Sequence, residues 1–357
     1  MKKCTADFKE IGSSFEAAQF TSSIQNSIYG LDNCYYLRCA RECLFVVGQH
    51  HSNIHKRKTV LMPNICCASM VQPFYQLGFE VFYYNINECF SVDEDNLLEL
   101  LKKDSLLLVM DYFGIPSCSN SFLKKIKKEY SLSIVKDFTH SYSCFAKDNS
   151  TLDYKIISLR KWLPIPDGAV LVSKMKLNIE LNKDNDFATV FYTAMKNKAA
   201  YLITNDMRLK NDYLAMFKTC SDRLKETIVP TSISEISEDI LRKIDIDSVF
   251  KKRKRNYIYL YKQLSKDKNI ERIVFKPQES PFCLPILVCE KRDELQKYLS
   301  ERGVYCQVLW PLPIQCEPSG FNKWFSDHML SIPCDQRYTP KDLSRIAPLI
   351  SDFYLER

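Results

Sequence analysis

A lysine and two acids occupy positions that a wound sheet would bring to one edge. Lys161 lies in "SLRKWLPIPDGA", between an apolar run that ends at Ser158 and a second run, "AVLVS". Asp111 and Asp137 directly follow the β-rich runs "LLLVM" and "LSIVK". Wound sheets bind ligands at the carboxyl ends of their strands. Asp137 and Lys161 are therefore expected to reach one cavity. A solvated lysine and a helix N-cap in "DFTH" are the alternatives for these two residues.

Short apolar runs rich in β-formers alternate with helical stretches from residue 58 onward, which predicts a wound α/β sheet. Only ten residues separate the last two predicted strands, so no crossover helix fits between them and the last strand is expected to be antiparallel. Helices are predicted in "CCASMVQPFYQLG", "EDNLLELLKK" and "NSFLKKIKKEY". Strands are predicted at 59–63, 80–84, 106–110, 132–136, 154–158 and 169–173.

The second half of the chain changes character twice. From 173 to about 248 it is helical and charged, and a second α/β unit follows, with the helices "RNYIYLYKQL" and "RDELQKYLSERG" around a strand in "FCLPILV". A chain of 357 residues exceeds the usual size of a single core. We therefore predict a large domain at 1–248 and a small C-terminal domain at 249–357.

Composition excludes several classes of protein. The 46% hydrophobic and 26% charged residues are those of a globular chain. No apolar run is long enough to cross a bilayer, and the first residues lack the apolar middle of a signal peptide, which predicts a cytoplasmic protein. The 15 cysteines are expected to be reduced, and no metal-ligand spacing accompanies them. The basic run at 251–255 is expected to be a solvated helix face, not a nucleic-acid site.

The sequence lacks two common cofactor-binding motifs, which reduces the number of cofactors to consider. Neither a GxGxxG fingerprint nor a GxxxxGK loop occurs, so dinucleotide and P-loop nucleotide sites lack their main feature. An acid and a lysine on one sheet edge without such loops suggest pyridoxal phosphate (PLP).

The ordered set "YYLRCAREC", "VLMPNICCASMVQPFYQLGFEVFYYNI", "MDYFGIP", "IVKDFTHSYS", "LDYKIISLRKWLPIPDGAVLV" and "PFCLPILV" resembles the DegT/StrS family of PLP-dependent sugar aminotransferases. The resemblance covers roughly 30–173 and, more loosely, 250–350. It implies PLP fold type I: a mixed, mostly parallel seven-stranded sheet, a smaller C-terminal α/β domain, and a homodimer with the site at or near the interface.

The resemblance also assigns the site residues. Lys161 is implied as the catalytic Schiff-base lysine and Asp137 as the partner of the ring nitrogen. His140 would hydrogen-bond the cofactor's 3-oxygen. The amides of Ala40 and Arg41, at a helix start, and the hydroxyl of Ser158 would hold the cofactor phosphate. No metal is implied.

Three departures from the family pattern are visible. The spacing from Ser158 to Lys161 is two residues shorter than in most members, and 66–68 reads Cys-Cys-Ala where the family often has a stacking aromatic. The Asn-Tyr-Arg segment that reaches the second subunit is not evident after residue 190. For a substrate carboxylate, Arg160 and Arg337 are the candidate partners.

The leading hypothesis is a transaminase that moves an amino group from an amino acid, glutamate first, to a nucleotide-linked keto sugar for surface polysaccharide or related sugar biosynthesis. Family members that dehydrate sugars have histidine in place of the lysine, so Lys161 favours transamination. The alternatives are a non-catalytic or regulatory relative, which the departures favour, and a PLP enzyme of another reaction type. A nucleic-acid protein built on "KKRKR" is a more distant alternative.

Overall fold

The computed structural model describes residues 9–18, 32–148, 152–265, 267–272, 280–312 and 320–355. The strands are β1 Ile11–Gly12, β2 Cys34–Leu37, β3 Thr59–Pro63, β4 Glu80–Tyr84, β5 Leu106–Met110, β6 Ser133–Asp137, β7 Tyr154–Ser158, β8 Ala169–Ser173, β9 Ile270–Arg272, β10 Leu284–Val288, β11 Val304–Tyr305 and β12 Met329–Ile332. The helices are α1 Ala40–His55, α2 Ala68–Gln76, α3 Glu94–Leu100, α4 Asn120–Tyr130, α5 Tyr142–Phe145, α6 Asn185–Thr204, α7 Met207–Arg223, α8 Glu235–Leu241, α9 Ile246–Leu264, α10 Arg292–Glu301, α11 Gly320–His328, α12 Pro340–Leu343 and α13 Ile346–Leu355, with a 3₁₀ turn at Leu159–Lys161.

Seven strands form one mixed sheet in the order β2-β8-β7-β6-β5-β3-β4. The pairs from β4 through β7 are parallel, whereas β8 is antiparallel to both β7 and β2. This confirms the six predicted strands, the antiparallel last strand and the predicted fold class. β2 was not predicted as a strand. β6 lies one residue later than predicted, so Asp137 is its last residue.

The central strands are buried along their whole length, which explains why they read as continuous apolar runs. Every residue of β3, β5 and β6 is buried, as expected for parallel strands covered by helices on both faces. β6 nevertheless contains two charged residues, Lys136 and Asp137. Because neighbouring side chains of a strand point to opposite faces, the two charges lie on opposite sides of the sheet.

The pairing of β2 with β8 places the N-terminus of α1. Leu37 is in register with Ala169, and the Gly168 amide donates to the Arg38 carbonyl across 2.7 Å. α1 begins at Ala40, three residues after β2 ends. The start of α1 is therefore tied to the loop between β7 and β8, which contains Lys161.

The chain forms two compact units, and the main boundary between them lies between Ile246 and Asp247. The larger unit comprises Phe15–Ile246 and also takes in the later segment Trp310–Trp324, while the described residues up to Ser14 group with the C-terminal unit. The predicted boundary at 248 did not include these two exchanged segments.

The C-terminal unit contains its own antiparallel sheet, β12-β10-β9, and the parallel pair β1-β11. Its apolar core includes residues of α9, α10 and α13. The basic run at 251–255 lies in α9, but Arg253 is buried and donates to the Phe282 carbonyl. The run is therefore not one continuous solvated face, because one of its cations belongs to the interior.

None of the helices in the described ranges combines the length and the apolar character needed to cross a bilayer.

Candidate active site

A cavity opens in the larger unit where β6 and β7 end and α1 begins. All six site residues predicted from the sequence are among those around it or packed beside it. Ala40, Arg41, Asp137, Ser158 and Lys161 line it directly. The structure thus brings these five residues together from three separate stretches of the sequence.

Asp137 presents a buried carboxylate at the end of β6. Its Oδ1 accepts the Thr139 amide across 2.8 Å. Burial raises the pKa of Asp137 above its usual value, while hydrogen bonds from Thr139 and the positive charge of Lys161 act in the opposite direction. The alternative interpretation as a helix N-cap is wrong, since α5 begins at Tyr142 with Ser141 as its N-cap.

Lys161 ends the 3₁₀ turn that follows β7, and its side chain is exposed. Its charge partly offsets the rise that burial causes in the pKa of Asp137, and it adds to the lowering that burial causes in the pKa of His140. In the part of the chain that the structure describes, no carboxylate forms an ion pair with its ammonium group. Lys161 is thus an accessible amine whose charge acts on a buried acid in the same cavity.

The turn that carries Lys161 is held rigidly. The amides of Leu159 and Arg160 both donate to the Gly168 carbonyl, at 3.0 and 3.3 Å. Gly168 has φ +136°, and a Cβ there would lie 2.9 Å from Ile165 Cδ1. Only glycine fits such a position without strain, which explains the Asp-Gly pair in the lysine motif.

Thr139 connects the aspartate and lysine segments. Its hydroxyl accepts the Ser158 amide across 3.1 Å, and its carbonyl accepts the indole N–H of Trp162 across 2.7 Å. Its amide and hydroxyl also bind Asp137. The sequence analysis did not identify Thr139, although its position two residues after Asp137 on the same strand end was a usable indication.

Replacing Thr139 with valine should uncouple these segments. We expect the free energy of unfolding to fall by about 1–3 kcal/mol, because the buried Ser158 amide loses its acceptor while the side-chain volume is kept. Chemical denaturation followed by circular dichroism measures this change. Thr189→Val is the matched control, since that threonine is exposed on α6 and bonds only the Asn185 carbonyl in the described structure. Equal losses in both variants would contradict the connecting role of Thr139.

His140 is fully buried between two aromatic rings. Its ring centroid is 5.0 Å from that of Trp310, nearly parallel at 21°, and 5.3 Å from that of Phe113. Burial and, after it, the charge of Lys161 lower the pKa of His140 well below its usual value. His140 is therefore a neutral, fixed imidazole at neutral pH, and Trp310 itself lines the cavity.

The segment at 66–68 supplies no aromatic to this cavity. Cys67 lines it as the N-cap of α2, with its Sγ 2.9 Å from Ser69 Oγ. Trp310 is the aromatic side chain that the described lining contains. Sequence reasoning missed it because it lies about 150 residues beyond the lysine motif, in a segment with no local indication of a site.

Asp111 does not take part in the cavity lining. Its Oδ2 lies 2.9 Å from Lys136 Nζ, and its Oδ1 accepts the Ser117 amide. Both charged side chains are buried. The first acid of the sequence pattern is therefore half of a structural ion pair on the opposite side of the sheet from Asp137.

Arg337, one candidate for a substrate carboxylate, is already occupied within the C-terminal unit. Its guanidinium binds both carboxylate oxygens of Asp335 at 2.8 and 2.9 Å and donates to the carbonyls of Ser13 and Ser14. Arg160, the other candidate, lines the cavity beside Lys161. Among the described residues, no cluster of three or more His, Cys, Asp or Glu side chains could hold a metal ion.

The fold of the chain is similar to that of proteins whose structures have been solved. No model of a protein family matches the chain, and no curated protein does. Among solved structures, Helicobacter pylori PseC, an aminotransferase of pseudoaminic acid biosynthesis, aligns over 98% of this chain and 100% of its own, with TM-score 0.67 and 14% identity. DesI, determined with its TDP-sugar product, aligns over 90% and 81%, with TM-score 0.63 and 16% identity. NtdA from Bacillus subtilis, with bound PMP, aligns over 89% and 72%, with TM-score 0.60 and 15% identity. The chain therefore has the fold type I architecture of the DegT/DnrJ/EryC1/StrS sugar aminotransferases.

Proposed function

We propose that this protein is a PLP-dependent sugar aminotransferase of the DegT/StrS type. The observation that carries the proposal is the convergence of Lys161 and Asp137, from two different β-strand ends, in one cavity where the lysine charge reaches the buried carboxylate. An amine and an acid in this relation, on this fold, are the two groups that PLP chemistry requires from the protein.

The remaining residues fit the cofactor. In the described residues, Nη1 of Arg41 is buried without a hydrogen-bond partner, and Cys39, the N-cap of α1, makes no side-chain bond to the first turn. Together with the Ser158 hydroxyl, these groups make the start of α1 an anion site. The cavity therefore offers an amine for an aldehyde, a carboxylate for a ring nitrogen and donors for a phosphate.

When bound, PLP supplies a reactive aldehyde and a conjugated ring that stabilises negative charge beside the amino-bearing carbon. Lys161 would hold the cofactor through its aldehyde, and its Nζ, once released by the donor amine, would move the proton of the donor carbon. Asp137 would face the ring nitrogen and favour its protonated form through its opposite charge. His140, held neutral between Phe113 and Trp310, would hydrogen-bond the 3-oxygen.

The substrate and setting follow from the comparisons and the resemblance. PseC is described as acting in pseudoaminic acid biosynthesis, and DesI was determined with a TDP-sugar product. These support a nucleotide-linked keto sugar as acceptor and an amino acid, glutamate first, as donor. We further propose a cytoplasmic homodimer that serves surface polysaccharide or related sugar biosynthesis, with the main boundary between its two domains near residue 248.

The test is an absorption spectrum of the protein with PLP, before and after excess glutamate. We expect a visible band that glutamate converts to the pyridoxamine form, with one 2-oxoglutarate released per site. Glutarate, which lacks the amino group, is the matched control and should leave the band unchanged. A band that no amino acid converts would favour another PLP reaction. A wild type that takes up no PLP would favour a non-catalytic relative.

A further inference from the structure

Two arginines line the cavity of Lys161 and lie close to each other. Arg41 belongs to the first turn of α1, and Arg160 to the 3₁₀ turn after β7. Burial lowers the pKa of Arg41, and the like charge of Arg160 acts in the same direction. The protein therefore holds two mutually repelling cations at one place.

The neighbouring acids are bound elsewhere. Glu42 accepts from Arg38 at 2.6 Å and from a backbone amide, and Asp167 accepts from two serine hydroxyls. Asp167 acts on Arg160 only through its charge. Within the ranges that the structure describes, neither Arg41 nor Arg160 forms an ion pair with a carboxylate. Like charges placed together without an ion-paired carboxylate favour an anionic ligand.

The charge of the lining indicates which anion fits. Its basic and acidic side chains are Arg41, Arg160, Lys161 and Asp137, three bases and one acid. Under the proposed function, Lys161 and Asp137 serve the aldehyde and the ring nitrogen. The two guanidiniums then remain for a group of two negative charges, and a phosphate monoester carries about −1.5 to −2 at pH 7. A single substrate carboxylate would leave one of them uncompensated.

We propose that the side chains of Arg41 and Arg160 form a guanidinium pair that binds the phosphate of the cofactor. This inference rests on the proposed function and extends it, because the resemblance assigned the phosphate to the amides of Ala40 and Arg41 and to the Ser158 hydroxyl, and to no arginine side chain. Ala40 brings no hydroxyl to this position, so the arginine side chains supply donors beyond the helix amides and Ser158.

The proposal is tested by measuring how tightly Arg41→Gln and Arg160→Gln bind PLP and pyridoxal. Pyridoxal is the comparison because it lacks the phosphate. Titration of the visible band should show PLP binding weakened roughly 10- to 100-fold in each variant, the value of a charged hydrogen bond, with pyridoxal binding unchanged. Arg208→Gln, which removes the same charge from an exposed site of the same unit, should behave as wild type. Equal losses for PLP and pyridoxal, or unchanged PLP affinity, would overturn the pair.

A second measurement separates this inference from the proposed function. Inorganic phosphate should raise the melting temperature of the PLP-free wild type and of Arg208→Gln, but of neither Arg41→Gln nor Arg160→Gln. This readout requires folded protein but no visible band and no turnover. A wild type without a visible band would contradict the proposed function while the phosphate shift still supported the pair. A shift that persists in both cavity variants, or that is absent from wild type, would overturn the pair.

Discussion

Replacing Lys161 with alanine is expected to abolish the visible band of the bound cofactor and to lower turnover by roughly 10⁴-fold or more. Proton transfer by a positioned side chain contributes about 10²- to 10⁴-fold, and the covalent attachment is lost as well. The side chain is exposed and, among the described residues, makes no ion pair, so the free energy of unfolding should change by less than about 0.5 kcal/mol. Absorption titration, single-turnover assays and denaturation measure these three quantities.

Two further lysine variants show whether the loss of the visible band and of turnover comes from the missing Schiff base or from the missing charge. Lys161→Arg keeps a positive charge beside Asp137 and His140 but cannot form the Schiff base, so it should also lack the band. Lys176→Ala removes an exposed lysine of the same unit and should behave as wild type. A Lys161→Ala protein that still forms the visible band would show that another amine carries the cofactor.

The sheet was predictable because its strands are short, apolar and rich in β-branched residues. The run "LLLVM" at 106–110 corresponds residue for residue to β5. β2 was missed because "CYYL" is only four residues long and three of them are half-buried, so that it lacks both an apolar run and an alternating pattern. Its strand character comes from pairing with β8, which is more than 130 residues away.

For the same reason, the sequence did not predict that the described residues up to Ser14 belong to the C-terminal unit and Trp310–Trp324 to the larger unit. Ile11 pairs with Val304 in the C-terminal unit, although almost 300 residues separate them. Neither the dipeptide at 11–12 nor its partner is long enough to give a periodic pattern. Long-range pairing, not local propensity, decides where such short segments belong.

At the site, residues that belong to a motif were found, and those that hold the motif in place were not. Lys161 and Asp137 have chemical types that stand out at a strand end. Thr139 and Trp310 are ordinary residue types whose roles depend on contacts, a threonine hydroxyl shared between two segments and an indole stacked on His140. Asp111 shows the reverse case, because its sequence context matches that of Asp137 while its partner, Lys136, makes it structural.

Replacing aspartate with asparagine is expected to have opposite effects on stability and turnover at Asp137 and at Asp111. Asp137→Asn keeps the size of the side chain and its acceptor for the Thr139 amide but removes the charge. Because burial raises the pKa of this carboxyl, its ionised form is costly to the fold. We therefore expect Asp137→Asn to be at least as stable as wild type. Turnover should nevertheless fall roughly 10- to 1000-fold, the value of an opposite charge that shifts a partner's pKa by 1–3 units.

Asp111→Asn is the matched variant. It leaves the buried Lys136 without its charged partner, and removing one member of a buried ion pair costs about 3–5 kcal/mol. The free energy of unfolding should therefore fall by that amount, while the folded variant keeps the PLP affinity and turnover of wild type because Asp111 lies outside the cavity lining. Denaturation and single-turnover assays on both variants measure the two effects. If Asp137→Asn lost stability and kept turnover, its carboxylate would serve the fold and not the ring nitrogen.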